Sequence, residues 1–299
     1  MINISNLSFG YKKKNLLFNN LNLSLTSGNI YGLLGKNGAG KTTLLKLVSG
    51  LLYPHCGSCT LDEEKTIARD PDLLKEIFFL PENSFLPAVK VREYLEIYTP
   101  FYPKFNKEKF FEYLKDLEIE TNGKITNLSY GQKKKFSVAF ALAADTKVIL
   151  LDEPTNGLDI PAKSVFRKLV ASSINEEKIF VISTHQVRDM KHLIDPIIIL
   201  DNGEVIFNRQ IAEIEQKLSL TLQREEPKEN EVLYYENTLG GYAVLSENHD
   251  GEDNDIDIEL LFNAVVAKNE KVKTLFNAGV TVLKKYLRQR DFFKHFGKK

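Results

Sequence analysis

Tryptophan is absent from this 299-residue chain, cysteine and methionine occur twice each, and neither sign of charge is in excess, with Lys plus Arg and Asp plus Glu at 40 each. That balance leaves no global field to attract nucleic acid, and no basic tract is interleaved with aromatics, so no nucleic acid is expected as a partner. No uninterrupted apolar stretch approaches the roughly 18 to 20 residues that span a bilayer. The start, Met1-Ile2-Asn3-Ile4-Ser5-Asn6, lacks the basic and apolar regions of a signal peptide, and a cytosolic location is the expectation. The two cysteines lie in His55-Cys56-Gly57-Ser58-Cys59. A zinc site lacks its second ligand pair, and a redox pair lacks the strand and helix start it needs. Pro54 and Gly57 read instead as a turn into a strand, Ser58 to Leu61.

The length suits one large domain and one small, since single cores stop growing at about 250 to 300 residues. Ile2 to Ser8, Leu21 to Leu25 and Ile30 to Leu34 are strand-like and suggest an antiparallel sheet. From about Val89 to Ala144 the pattern turns helical, punctuated by Pro100, Pro103 and Asn122-Gly123. A helix at Ala162 to Ser172, a strand at Lys178 to Ser183 and a strand-turn-strand at Ile197 to Phe207 follow. Strands alternating with helices imply a parallel sheet. The polar stretch Gln223 to Asn230 precedes further strand-like and helical patterns, including Leu260 to Val266, so residues 211–299 read as an appendage. Its acidic run, Glu247 to Asp257, resembles a calcium loop only superficially, because Gly251 is out of register.

Residues 35–42 read Gly-Lys-Asn-Gly-Ala-Gly-Lys-Thr, between the strand-like Ile30 to Leu34 and the helical Thr43 to Val48. The glycines let consecutive amides converge on phosphate oxygens, and the following helix presents the positive end of its dipole. The Lys41 ammonium can reach the β- and γ-phosphates, and the Thr42 hydroxyl can ligate the accompanying Mg²⁺. The run Val148-Ile149-Leu150-Leu151-Asp152-Glu153 suits a doubly buried strand ending in two carboxylates. Ligands bind at that end of open α/β sheets, so Asp152 can hold Mg²⁺, directly or through water, and Glu153 can orient or deprotonate the attacking water.

A third cluster, Leu128-Ser129-Tyr130-Gly131-Gln132, opens a helix that runs through Lys133 to Ala139. With Gly157-Leu158-Asp159 and Ser183-Thr184-His185, the ordered motifs of residues 1–210 resemble the ATP-binding subunit of an ABC transporter, of the drug or polymer exporter kind. The resemblance implies an α/β fold: a P-loop NTPase with an N-terminal antiparallel β subdomain, a parallel-sheet core, a helical subdomain at about 86–145, and a small α+β C-terminal extension. The extension would be regulatory or would stabilise a dimer.

It also implies a cofactor, ATP with Mg²⁺, bound by Gly35, Lys36, Asn37, Gly38, Ala39, Gly40, Lys41, Thr42 and Thr43 of one subunit and Ser129, Gly131 and Gln132 of another packed head to tail. A serine hydroxyl and glycine amides at a helix start make a second anion site, which one phosphate loop alone would not need. Tyr11 would stack on adenine, His185 would contact the γ-phosphate, and Asp159 would touch the opposite subunit. Glu82 stands where the family usually has a glutamine that reads Mg²⁺, so the implied metal set is Thr42, Asp152 and Glu82. Tyr130 replaces the usual signature glycine, and its ring would narrow the site. The implied partners are a second copy, or a similar ATPase, and a separate multi-span permease that would hold the chain at the inner face of the membrane. Phe85, Leu86, Val89, Val91, Tyr94 and Tyr98 offer an apolar set for docking it. The other reading is an ABC-type ATPase switch acting on ribosomes or nucleic acid without a membrane.

Overall fold

A computed structural model describes residues 1–12, 14–190, 192–228, 230–249, 255–267, 270–272 and 274–276. They divide into two compact units, one of residues 1–208 and one of the described residues from Arg209 on. The first unit begins with β1 (Ile2–Phe9) and β2 (Phe18–Leu25), then β3 (Asn29–Leu34), α1 (Lys41–Val48), β4 (Cys56–Leu61) and β5 (Glu64–Lys65). In β2, Phe18, Leu21, Leu23 and Leu25 turn inward while their neighbours face solvent, as a half-buried strand requires. An antiparallel sheet forms in the order β2-β1-β4-β5. The reading of Ile30 to Leu34 as part of it is corrected. β3 lies inside the parallel sheet, and its run from Ile30 to Leu34 is buried throughout, which suits a strand covered on both faces.

The chain continues through α2 (Pro71–Leu74), β6 (Ile77–Leu80), α3 (Val91–Tyr98), α4 (Lys107–Asp116), α5 (Tyr130–Ala143), β7 (Val148–Asp152), α6 (Ile160–Ser173), β8 (Ile179–Thr184), β9 (Ile197–Asp201) and β10 (Glu204–Arg209). The second sheet has the order β10-β9-β3-β8-β7-β6, with β6, β7, β8, β3 and β9 parallel. Register aligns Leu34 with Thr184 and Asp152 with Ser183. The carboxyl ends of three strands therefore share one edge, where this architecture binds ligands.

Helices α3 to α5 bury an aromatic cluster in which Phe110 and Phe136 meet edge to face, with Tyr94 and Phe140 packed against Phe136 and Phe110 respectively. Asn106 and Asp159 cap their helices by accepting from Lys109 and Ala162 amides at 2.9 and 2.8 Å. Cys59 is buried and Cys56 exposed; both are free.

The second unit contains α7 (Ile211–Lys217), β11 (Leu218–Gln223), β12 (Tyr234–Thr238), β13 (Gly241–Glu247) and α8 (Ile258–Ala267). Its antiparallel sheet, β11-β13-β12, buries Leu218, Val244 and Leu245, and α8 buries Leu261, Ala264 and Val265. Residues 250–254 of the acidic run lie outside the described residues. Asp257, at its end, accepts from the amides of Glu259 and Leu260 at the start of α8.

Candidate nucleotide site

The phosphate loop leaves β3 and enters α1 through Gly40, whose φ of 109° lies in the left-handed region. A side chain there would also strike the ring of Phe18, at 2.8 Å from an added Cβ. The Lys41 ammonium donates to the Gly35 carbonyl at 2.7 Å and to that of Lys36 at 3.4 Å, so it folds back over the loop. Burial holds it below the usual lysine range, against the opposing pull of the Glu153 and Asp152 carboxylates. Glu153 Oε1 lies 3.7 Å away.

The end of β7 meets this loop directly. Thr42 Oγ1 donates to Asp152 Oδ2 at 2.7 Å, and Ser183 Oγ donates to Asp152 Oδ1 at 2.5 Å, which orients the carboxylate on both oxygens. Glu153 sits at φ 45°, an unusual conformation for a residue with a side chain. Its amide donates to the carbonyl and the hydroxyl of Ser183 at 3.1 and 3.2 Å. Oε1 of Glu153 pairs with His185 Nδ1 at 2.8 Å, whereas its Oε2 is buried without a hydrogen-bond partner. An unpartnered buried carboxylate oxygen beside an anion cradle is chemically suited to a water or a ligand proton. The Thr42 and Asp152 pair supplies hard oxygen donors of the kind Mg²⁺ takes alongside phosphate.

Lys41, Thr42, Asp152 and Glu153 line a cleft of about 560 Å³ together with Lys36, Asn37, Gly38, Gly40, Thr43, Glu82 and Tyr11, whereas His185 and Ser183 reach it only through Glu153 and Asp152. Tyr11, 68% exposed, stands at its edge, with its hydroxyl 3.0 Å from Thr43 Oγ1 and its ring edge-on to Phe9. Gly35 packs against the Leu200 carbonyl beneath the loop, and Ala39 is buried. Glu82 borders the cleft, but its Oε1 is held by Asn156 Nδ2 at 2.9 Å.

Ser129, Gly131 and Gln132 do not line this cleft. Ser129 Oγ accepts from the Gln132 amide at 3.2 Å and Gln132 Oε1 accepts from the Ser129 amide at 2.9 Å, a reciprocal cap on α5 that leaves Ser129 exposed. Beside it the Tyr130 ring covers Gly157, where an added Cβ would lie 2.5 Å from the ring. Asp159 is likewise exposed; it caps α6 and lies 3.8 Å from Lys135 Nζ.

Three residues beside the site carry no sequence signal of the contacts they make. Ser183 was visible only as part of a motif, and its hold on Asp152 depends on two strands pairing. Asn156 had no signal apart from lying between two motifs. Lys134 sits in Lys133-Lys134-Lys135, a run that looks solvated, yet it is 4% exposed.

The sequence profile of the family described as ABC transporter matches residues 18–156. The ABC transporter ATP-binding protein NatA of Bacillus subtilis (strain 168) is 31% identical over 195 residues, which cover 62% of this chain and 79% of that protein. The Nod factor export ATP-binding protein I of Burkholderia orbicola (strain AU 1054) is 33% identical over 219 residues, covering 71% and 70%. Among solved structures, a dimeric post-hydrolysis state of an ATP-binding cassette bound to ADP and Pi matches with a TM-score of 0.62 at 26% identity, covering 71% of this chain and 99% of that one.

Proposed function

The chain belongs to the ABC transporter family of ATP-binding proteins, and from that premise we propose that it is the ATP-hydrolysing motor of an exporter. The observation that carries this reading is the meeting of the phosphate loop with the acidic strand end, Thr42 on Asp152 at 2.7 Å, beside Glu153. ATP lies along the cleft, its phosphates on the loop amides and Lys41, its adenine against Tyr11. Thr42 and Asp152 would hold Mg²⁺, with Glu82 bordering the same cleft. The ion, when bound, neutralises charge on the phosphates. Glu153 takes the proton of the attacking water on its free oxygen, and His185 steadies that carboxylate and meets the γ-phosphate.

Ser129, Gly131 and Gln132 serve the cleft of a second copy, which accounts for an exposed, pre-capped anion site set apart from this chain's own. Two structures of one ATP-binding cassette, matched at 26 and 27% identity, are dimeric, which supports the pairing. Among the described residues no helix is long and apolar enough to cross a membrane. The relatives named as ATP-binding proteins of transporters support a transport path in a separate permease, which holds this chain at the inner face of the membrane. The docking surface needs revision: Leu86, Val91 and Tyr94 are buried in the core, whereas Phe85 is 91% exposed and Ile97, Phe101 and Phe111 are also exposed. Export is favoured by the relatives named for Nod factor export.

The test is to tag the chain in its native cell, solubilise the membranes gently, and identify what copurifies with ATPase activity. A multi-span protein is expected. Recovery only with ribosomes, nucleic acid or soluble proteins would transfer the reading to a switch without a membrane.

A further inference from the structure

The buried cation of the signature helix has no part in the reading above. Lys134 lies five residues beyond Ser129 on α5, and its ammonium donates to the main-chain carbonyls of Glu82 at 2.8 Å and Asp152 at 3.5 Å. Burial lowers it to about 8, against the opposing pull of Glu82, Asp152 and Glu153. A buried ammonium is retained at a cost in solvation, and here its hydrogen bonds go to backbone on two different segments of the phosphate cleft. Glu82 is held a second time, by Asn156 on the loop that carries Gly157 and Asp159. Asn156 in turn accepts from Gln186, next to His185, at 3.2 Å.

We propose that Lys134 is a positioning residue for ATP hydrolysis, a tie that fixes the segment of Glu82 and the end of β7 to the signature helix of the same chain. The role rests on the ATPase reading and deepens it. Movement of α5 when its signature end engages a second copy is carried by Lys134 to the backbone of Asp152, one residue before Glu153. The site thereby registers pairing at its rear as well as through the nucleotide.

The experiment compares full-length native chain, Lys134→Met, Lys134→Arg and Lys134→Gln for steady-state kcat and KM and for ATP affinity by fluorescent-nucleotide titration. Methionine keeps the stem and loses the donor. Its kcat is expected to fall about ten-fold, with ATP affinity within about three-fold of native, and a donor-bearing variant should recover a third or more of the lost rate. Native kcat in Lys134→Met, or a loss that neither arginine nor glutamine recovers, overturns the proposal. Should the methionine variant not fold, Asn156→Ala removes the other hold on Glu82. It should lower kcat at unchanged affinity, and an unaltered kcat overturns the two-point tie. A native chain that hydrolyses no ATP would instead strike the ATPase reading itself.

Discussion

The hydroxyl of Thr42 donates to Oδ2 of Asp152 at 2.7 Å, joining residues 110 apart in sequence. The same carboxylate accepts Ser183 on its other oxygen. Its geometry is thus fixed before any ion arrives. Asp152→Asn keeps the size and one acceptor oxygen but removes the charge. The Mg²⁺ concentration for half-maximal turnover should rise about 10- to 100-fold, measured by phosphate release across a Mg²⁺ titration. An unchanged Mg²⁺ requirement would remove Asp152 from the metal set.

Head-to-tail pairing makes a prediction that one-chain catalysis does not. Lys41→Ala disables a chain's own phosphate loop, and Ser129→Ala disables what it lends to its partner. Each variant alone should be nearly inactive. In an equal mixture, half the dimers are mixed and each has one site with both halves intact, so turnover should recover toward roughly a quarter of native. A mixture no more active than its components would contradict composite sites.

Much of this site was legible because its motifs are local. Eight consecutive residues make the phosphate loop, and the run Val148 to Leu151 announces a strand that the parallel register then aligns with β8. The parallel sheet followed from the alternation of strands and helices, and the fold class from the resemblance that the ordered motifs carry. What could not be read depends on which segments become neighbours. Ile30 to Leu34 has the composition of any apolar strand, and only pairing with β8 and β9 makes it central. Lys134 differs from Lys133 and Lys135 only in the helix face it occupies, and that face is defined by the packing of α5 beneath the cleft. Leu86, Val91 and Tyr94 looked like docking residues, since an apolar run does not state whether its partner is the same chain.

The cysteines differ in reactivity for a structural reason. Cys59 is buried in the antiparallel sheet, which pushes its thiol up to about 11, while Cys56 is exposed. At neutral pH a thiol-alkylating reagent should modify one cysteine per native chain, Cys56, and reach Cys59 only on unfolding, as read by intact mass. Because the folded thiol binds its proton more tightly than the unfolded one, this group contributes stability that is full below the unfolded value of about 8.5 and fades as pH rises toward 11. Equal labelling of both in the native chain would contradict the packing of β4.

In the proposed mechanism Glu153 activates water for ATP hydrolysis while the loop around Lys41 only binds. Phosphate release by Glu153→Gln at saturating Mg-ATP tests it most directly. The rate is expected to fall about 10² to 10⁴-fold, with ATP still bound and the paired form retained on size-exclusion chromatography with light scattering. Turnover at the native rate by that variant would contradict this mechanism.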